Sequence, residues 1–234
     1  MSSAMSELAD EITDDSSTPR RWVEFSLLFI GIPVAIAVFL PPSWMFPALF
    51  LLTGVGLVLL AITPGFRWKS LIEGIGRIGW TYVVVFSILT AVACYWVMAV
   101  LRPEALFFLL GPDAPRMANG WTIMVMIAVF YPLVSALPQE LVFRPLFFRR
   151  YAEMLPSSRL ALLLNASVFS LAHLMYWSWV VAVMTFVGGL VFAWSYEVRR
   201  NFPEAVILHS VAGVILFAFG MGVYFYSGNV ERPF

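Results

Sequence analysis

Residues 121–150 read WTIMVMIAVFYPLVSALPQELVFRPLFFRR. The first eighteen carry no charge, and Gln139, Glu140 and Arg144 follow at once. A helix needs about 20 apolar residues to cross a bilayer. A carboxylate or guanidinium placed in such a run is costly to desolvate and marks a functional site by default. Pro132, Pro138 and Pro145 interrupt the stretch. Each removes a backbone donor and bends an internal helix, and freed carbonyls are tolerated at depth only where protein or water satisfies them. The stretch is therefore a bent membrane span bearing polar groups, with a plain packing kink as the bland alternative.

The rest of the chain has the same character. Of 234 residues, 61% are hydrophobic and 12% charged, against about 25% charged in soluble domains. Continuously apolar runs lie at 25–40, 45–62, 78–101, 121–138, 159–176, 177–197 and 204–227. They do not alternate, which favours helices over a barrel. The expected fold is all-α: a polytopic transmembrane helical bundle of about seven spans, with Trp and Tyr available for the interfaces. In that scheme Arg20, Arg21, Arg67, Lys69, Arg77, Arg144, Arg149, Arg150, Arg159, Arg199 and Arg200 share one side, and Arg102, Arg116 and Arg232 take the other. The positive-inside rule then puts the N-terminus in the cytoplasm and the C-terminus outside.

Residues 1–20 are acidic and Ser/Thr-rich, the composition of a disordered tail. They lack the basic start and apolar core of a signal peptide, so the first apolar run is expected to stay as an anchor. Residues 21–234 form a single integral-membrane domain in this scheme, and the Pro- and Gly-rich stretch 102–120 a structured outer connection. A net charge of zero gives no case for nucleic acid. The single cysteine, Cys94, excludes an internal disulfide.

His173 and His209 are the only histidines, and both lie in apolar runs. Glu140 and Arg144 are four apart, share a helix face and can pair. Gln139 lies about 100° around the helix and shares its face with Phe143. Asn165, Phe169 and His173 line one face, with Ser170 beside them. Gly213, one turn beyond His209, leaves space beside the imidazole, and Gly220 and Gly222 continue a small-residue surface for close helix packing.

Several chemistries meet this inventory unequally. Ser170 and Ser210 lack the signature of a serine nucleophile. Zinc needs three protein ligands; two histidines on separate helices permit a metal without signalling one, so no cofactor is expected and zinc is not favoured. No aspartate lies in any span, which leaves no aspartyl dyad. Water activation by a carboxylate–histidine pair, with a second histidine stabilising an oxyanion, uses what is present.

Gln139-Glu140-x-x-x-Arg144, Phe169-x-x-x-His173 and His209-x-x-x-Gly213 resemble the CAAX-protease and bacteriocin-processing (Abi) intramembrane peptidases. Their pattern is Glu-Glu-x-x-x-Arg, Phe-x-x-x-His and His-x-x-x-Asn on successive spans. The resemblance covers about 121–215, the motif-bearing core. It implies a glutamic-type endopeptidase in a multi-pass membrane protein, expected in a bacterial cytoplasmic membrane and acting on a membrane-anchored or lipidated peptide. Position 139 and His173 would activate water, His209 and position 213 would hold the oxyanion, and Glu140 and Arg144 would support them. Two positions depart from the pattern. Gln139 is an amide, which takes no proton at neutral pH, and Gly213 has no side-chain donor, a gap that Asn165 could partly fill. Two accounts of Gln139 stay open: a near-isosteric replacement of glutamate that arrests turnover, or a chain that binds without cutting. The expectation is therefore an endopeptidase impaired at 139. A non-catalytic binding or immunity protein is the first alternative and a small transporter the second.

Overall fold

The computed structural model describes residues 19–111, 120–230 and 232–233. Most of the tail expected over 1–20 and the centre of the connection expected over 102–120 lie outside the described residues. Six helices are long and apolar enough to cross a membrane: α1 Pro19–Phe39, α2 Pro42–Ala61, α3 Trp80–Leu101, α4 Gly120–Arg150, α5 Ser158–Tyr176 and α6 Trp179–Glu197. A shorter apolar helix, α7 Phe202–Ala218, follows, and α8 Gly222–Phe225 ends the helical part. No strand occurs among the described residues. The fold is a polytopic helical bundle.

The last apolar run departs from expectation. Residues 204–227 do not form one span, because α7 stops at Ala218 and the chain turns at Gly220, whose φ is 83°. A Cβ at Gly220 would overlap the Ala105 carbonyl. Gly220 thus serves a turn against the preceding connection, and Gly222 opens α8 with its Cα facing the Phe217 ring. At 1.5 Å per residue the 17 residues of α7 reach about 25 Å, just short of the hydrocarbon core.

In α4 the prolines change the helix without ending it. Across Pro132–Ala136 and Val142–Arg150 the backbone widens to π-helix, and the Leu137 N–H reaches back to the Pro132 carbonyl. A proline forfeits its own bond and crowds a carbonyl one turn back; adding a residue to the turn relieves the crowding. Gln139 and Glu140 sit on the short α-helical turn Leu137–Leu141 between these two segments.

Helices α5 and α6 form an antiparallel pair, α7 packs on α3, α4 and α6, and α2 lies along the second π segment of α4. The polarity is inverted relative to a soluble protein. Leu51 and Val100 are each 70% exposed, while Glu140, Arg144 and Asn165 have no exposed surface. Apolar side chains facing outward all round suit lipid and not water.

Polar groups tie one end of the bundle together. Glu24 of α1 accepts from Arg150 Nη2 at 2.9 Å and from the Tyr151 hydroxyl at 2.6 Å. Arg150 Nη1 donates to the Leu59 carbonyl and to Thr63 of α2's end. Glu204 accepts from the Gly79 N–H, Ser195 and Arg199. Asn201 caps α7 by accepting from the Glu204 N–H, and its amide donates to the Gly74 and Arg77 carbonyls. At the opposite end Arg232 donates to the Val38 and Leu40 carbonyls.

Candidate active site

Glu140 and Arg144 pair as their spacing requires. Arg144 Nε donates to Glu140 Oε2 at 2.8 Å and Nη2 to Oε1 at 3.3 Å. Its Nη1 donates to Asn165 Oδ1, and Asn165 Nδ2 donates to the Phe143 carbonyl at 2.7 Å. Both ends of the Asn165 amide are thus committed to bracing α4 against α5. It is not placed as the replacement oxyanion donor that sequence spacing left open. The Arg144 guanidinium also lies over the Phe169 ring at 5.0 Å and the Phe192 ring at 5.8 Å, contacts that its planar, weakly hydrated group favours.

His209 completes this cluster. Its Nδ1 lies 2.9 Å from Glu140 Oε1. An ionised carboxylate only accepts, so Nδ1 carries the proton, and in a neutral ring Nε2 would be the acceptor. The imidazole stacks on Phe192 at 4.9 Å and 10°. Glu140 therefore faces Arg144 and His209 and is occupied by both. The Glu140–His209 contact joins the first and third motifs across 69 positions of sequence.

His173 lies near the end of α5, with its Nδ1 2.8 Å from the Phe169 carbonyl. That bond places the proton on Nδ1 and leaves Nε2 as the basic atom. The Phe169 ring stands 4.8 Å from His173, 5.6 Å from His209 and 5.1 Å from Phe143. The aromatic member of the second motif is a wall between the two imidazoles.

Gln139 points away from this braced cluster. Its Nε2 donates to Ser135 Oγ at 3.0 Å, and its buried Oε1 has no partner. Ser135 stands one turn along α4 from Tyr131, whose hydroxyl lies 3.3 Å from His209 Nε2. The space expected beside Gly213 is filled: a Cβ there would overlap the Tyr131 ring and hydroxyl. Ser170 and Ser210 donate to the Ala182 and Val206 carbonyls, so neither is presented as a nucleophile.

A cavity of about 620 Å³ gathers Gln139, His173, His209, Tyr131 and Ser135 in walls otherwise dominated by apolar residues such as Leu49, Phe86, Val97 and Met184. It is within the usual range for a small-molecule or peptide-segment site. Glu140, Arg144 and Asn165 stay behind its wall. Zinc would need three protein ligands; among the described residues no three His, Cys, Asp or Glu side chains converge.

Tyr131, Ser135 and Phe192 were not singled out from sequence. The first two carried a legible signal, since Tyr131, Ser135 and Gln139 are spaced by four and share one face of α4. Phe192 carried none, because α6 has no polar landmark pointing to His209.

These features define a multi-pass membrane protein with an internal polar site built from three helices. Residues 120–215 match the family model described as Type II CAAX prenyl endopeptidase Rce1-like. This motif-bearing segment is thus similar to the CAAX prenyl endopeptidases that the model describes. The chain matches no curated protein and no solved structure.

Proposed function

We propose that the chain is an intramembrane endopeptidase that hydrolyses a peptide bond of a membrane-anchored or lipidated substrate with water activated inside the bundle. One observation carries the reading. Gln139, His173 and His209, on three different helices, open onto one largely apolar cavity, while the buried Glu140–Arg144 pair fixes His209 from behind.

In this reading the scissile segment enters the cavity with its carbonyl carbon near His173. His173 Nε2 accepts a proton from water as the water oxygen bonds to that carbon, and the carbonyl oxygen becomes an oxyanion near His209. The proton then passes to the departing nitrogen as the C–N bond breaks. A carboxylate at 139 would share this work. One of its oxygens would keep Ser135, and the other would stand where Gln139 Oε1 is now unpartnered. An amide takes no proton there, so turnover by the chain is slow. The same amide favours a second reading, a membrane protein that binds such segments without cutting them.

The test is cleavage of membrane-anchored and prenylated peptides in liposomes by the chain and by Gln139→Glu. General-base assistance is worth about 10²–10⁴-fold, so Gln139→Glu should exceed the parent by that order, and His173→Ala should abolish the gain. A folded Gln139→Glu variant that binds these peptides and leaves them intact would establish the binding reading instead.

A further inference from the structure

Resting on the endopeptidase reading, we infer that Tyr131 is a catalytic residue whose hydroxyl donates to the oxyanion. The imidazoles leave that post open. Each Nδ1 is spent, His173 on the Phe169 carbonyl and His209 on Glu140, so each ring, when neutral, offers the cavity an acceptor and not a donor. The hydroxyl of Tyr131 stands 3.3 Å from His209 Nε2 and lines the same cavity as both histidines. It is a donor that reorients by a single torsion.

At rest its proton points to His209. When water adds to the scissile carbonyl, the oxygen that gains negative charge is a stronger acceptor than a neutral imidazole, and the O–H turns to it. Tyr131 keeps its proton throughout. When the C–N bond breaks, the oxygen returns to a carbonyl and the hydroxyl returns to His209, which acts as its rest and guide.

The glycine one turn beyond His209 fits this assignment. A side chain at 213 and the ring of Tyr131 cannot share the space, since a Cβ on Gly213 would overlap the ring. The donor that the family pattern carries as an asparagine at this position is here supplied from α4.

The experiment uses Tyr131→Phe, which keeps the ring and its packing, in both the native and Gln139→Glu chains. Two readouts are needed: liposome cleavage, and binding of a membrane peptide whose scissile amide is replaced by a phosphinate, an anionic tetrahedral mimic that needs no turnover. Loss of one oxyanion donor costs about 10²–10³-fold. Tyr131→Phe should lower kcat by that order with KM little changed. It should weaken phosphinate binding by a similar factor and leave the parent amide peptide unaffected. Tyr131→Ala with Gly213→Asn should regain phosphinate preference that Tyr131→Ala alone lacks. Cleavage and phosphinate preference unmoved by Tyr131→Phe would overturn this inference alone. Neither cleavage nor phosphinate preference in any chain, Gln139→Glu included, would overturn the endopeptidase reading and this inference together.

Discussion

At the residue scale the site divides into groups that face the cavity and groups that hold them. Glu140 belongs to the second kind. It accepts from Arg144 and His209 with no exposed surface. Removing one partner of a buried ion pair costs about 3–5 kcal/mol, because the remaining charge is left uncompensated. Glu140→Gln should therefore lower the thermal unfolding midpoint in detergent markedly, and it should loosen His209. An unchanged midpoint would show that Arg144 finds another counter-charge. Spacing in the sequence was enough to find this pair, as it was for Phe169 and His173, because four residues on one helix fix a common face. It could not show what stands across from that face. Gly213 promised room, yet the room belongs to Tyr131. Asn165 looked available, yet its amide is spent on Arg144 and Phe143.

At the element scale hydropathy located the helices and misjudged where the last one ends. The three prolines of α4 mark real irregularities, but in an apolar medium a broken helix would strand its carbonyls, so the backbone widens and continues through Arg150. The opposite occurs after Ala218. The sequence stays apolar through Phe219–Phe225, so nothing in composition marks a stop, and the turn is set by the Ala105 carbonyl lying against Gly220. Non-glycine residues pay about 1–3 kcal/mol in such left-handed or strained backbone, and a β-branched side chain would collide here as well. Gly220→Val should destabilise the protein by at least that amount in a detergent unfolding titration. Gly54→Val makes the comparison, since a Cβ at Gly54 meets nothing within 4 Å. Equal stability of the two variants would mean that the turn at 220 is not held by this contact.

At the scale of the whole molecule, the orientation we propose rests on the distribution of charge. The end tied by Glu24–Arg150, Arg149–Glu197 and Arg199–Glu204 also carries most of the Lys and Arg residues outside the spans. Polar staples of this kind form where water can solvate what remains unpaired, and Lys and Arg are retained on the cytoplasmic side during insertion. We place this end in the cytoplasm, with the N-terminus, and the Arg232 end outside. Gln139 then lies about 15 Å along α4 from Arg150, which, in the proposed orientation, puts the candidate site in the cytoplasmic half of the bilayer. The placement requires α7 to cross despite its 17 residues, a modest mismatch that local thinning of the bilayer accommodates. Reporter fusions after residues 70, 112 and 228 should read cytoplasmic, external and external. The third decides the count: if α7 enters and returns without crossing, the fusion after 228 reads cytoplasmic while the first two are unchanged, and the bundle has six crossings. If the first two exchange sides, the bundle is inverted, and the candidate site lies in the outer half.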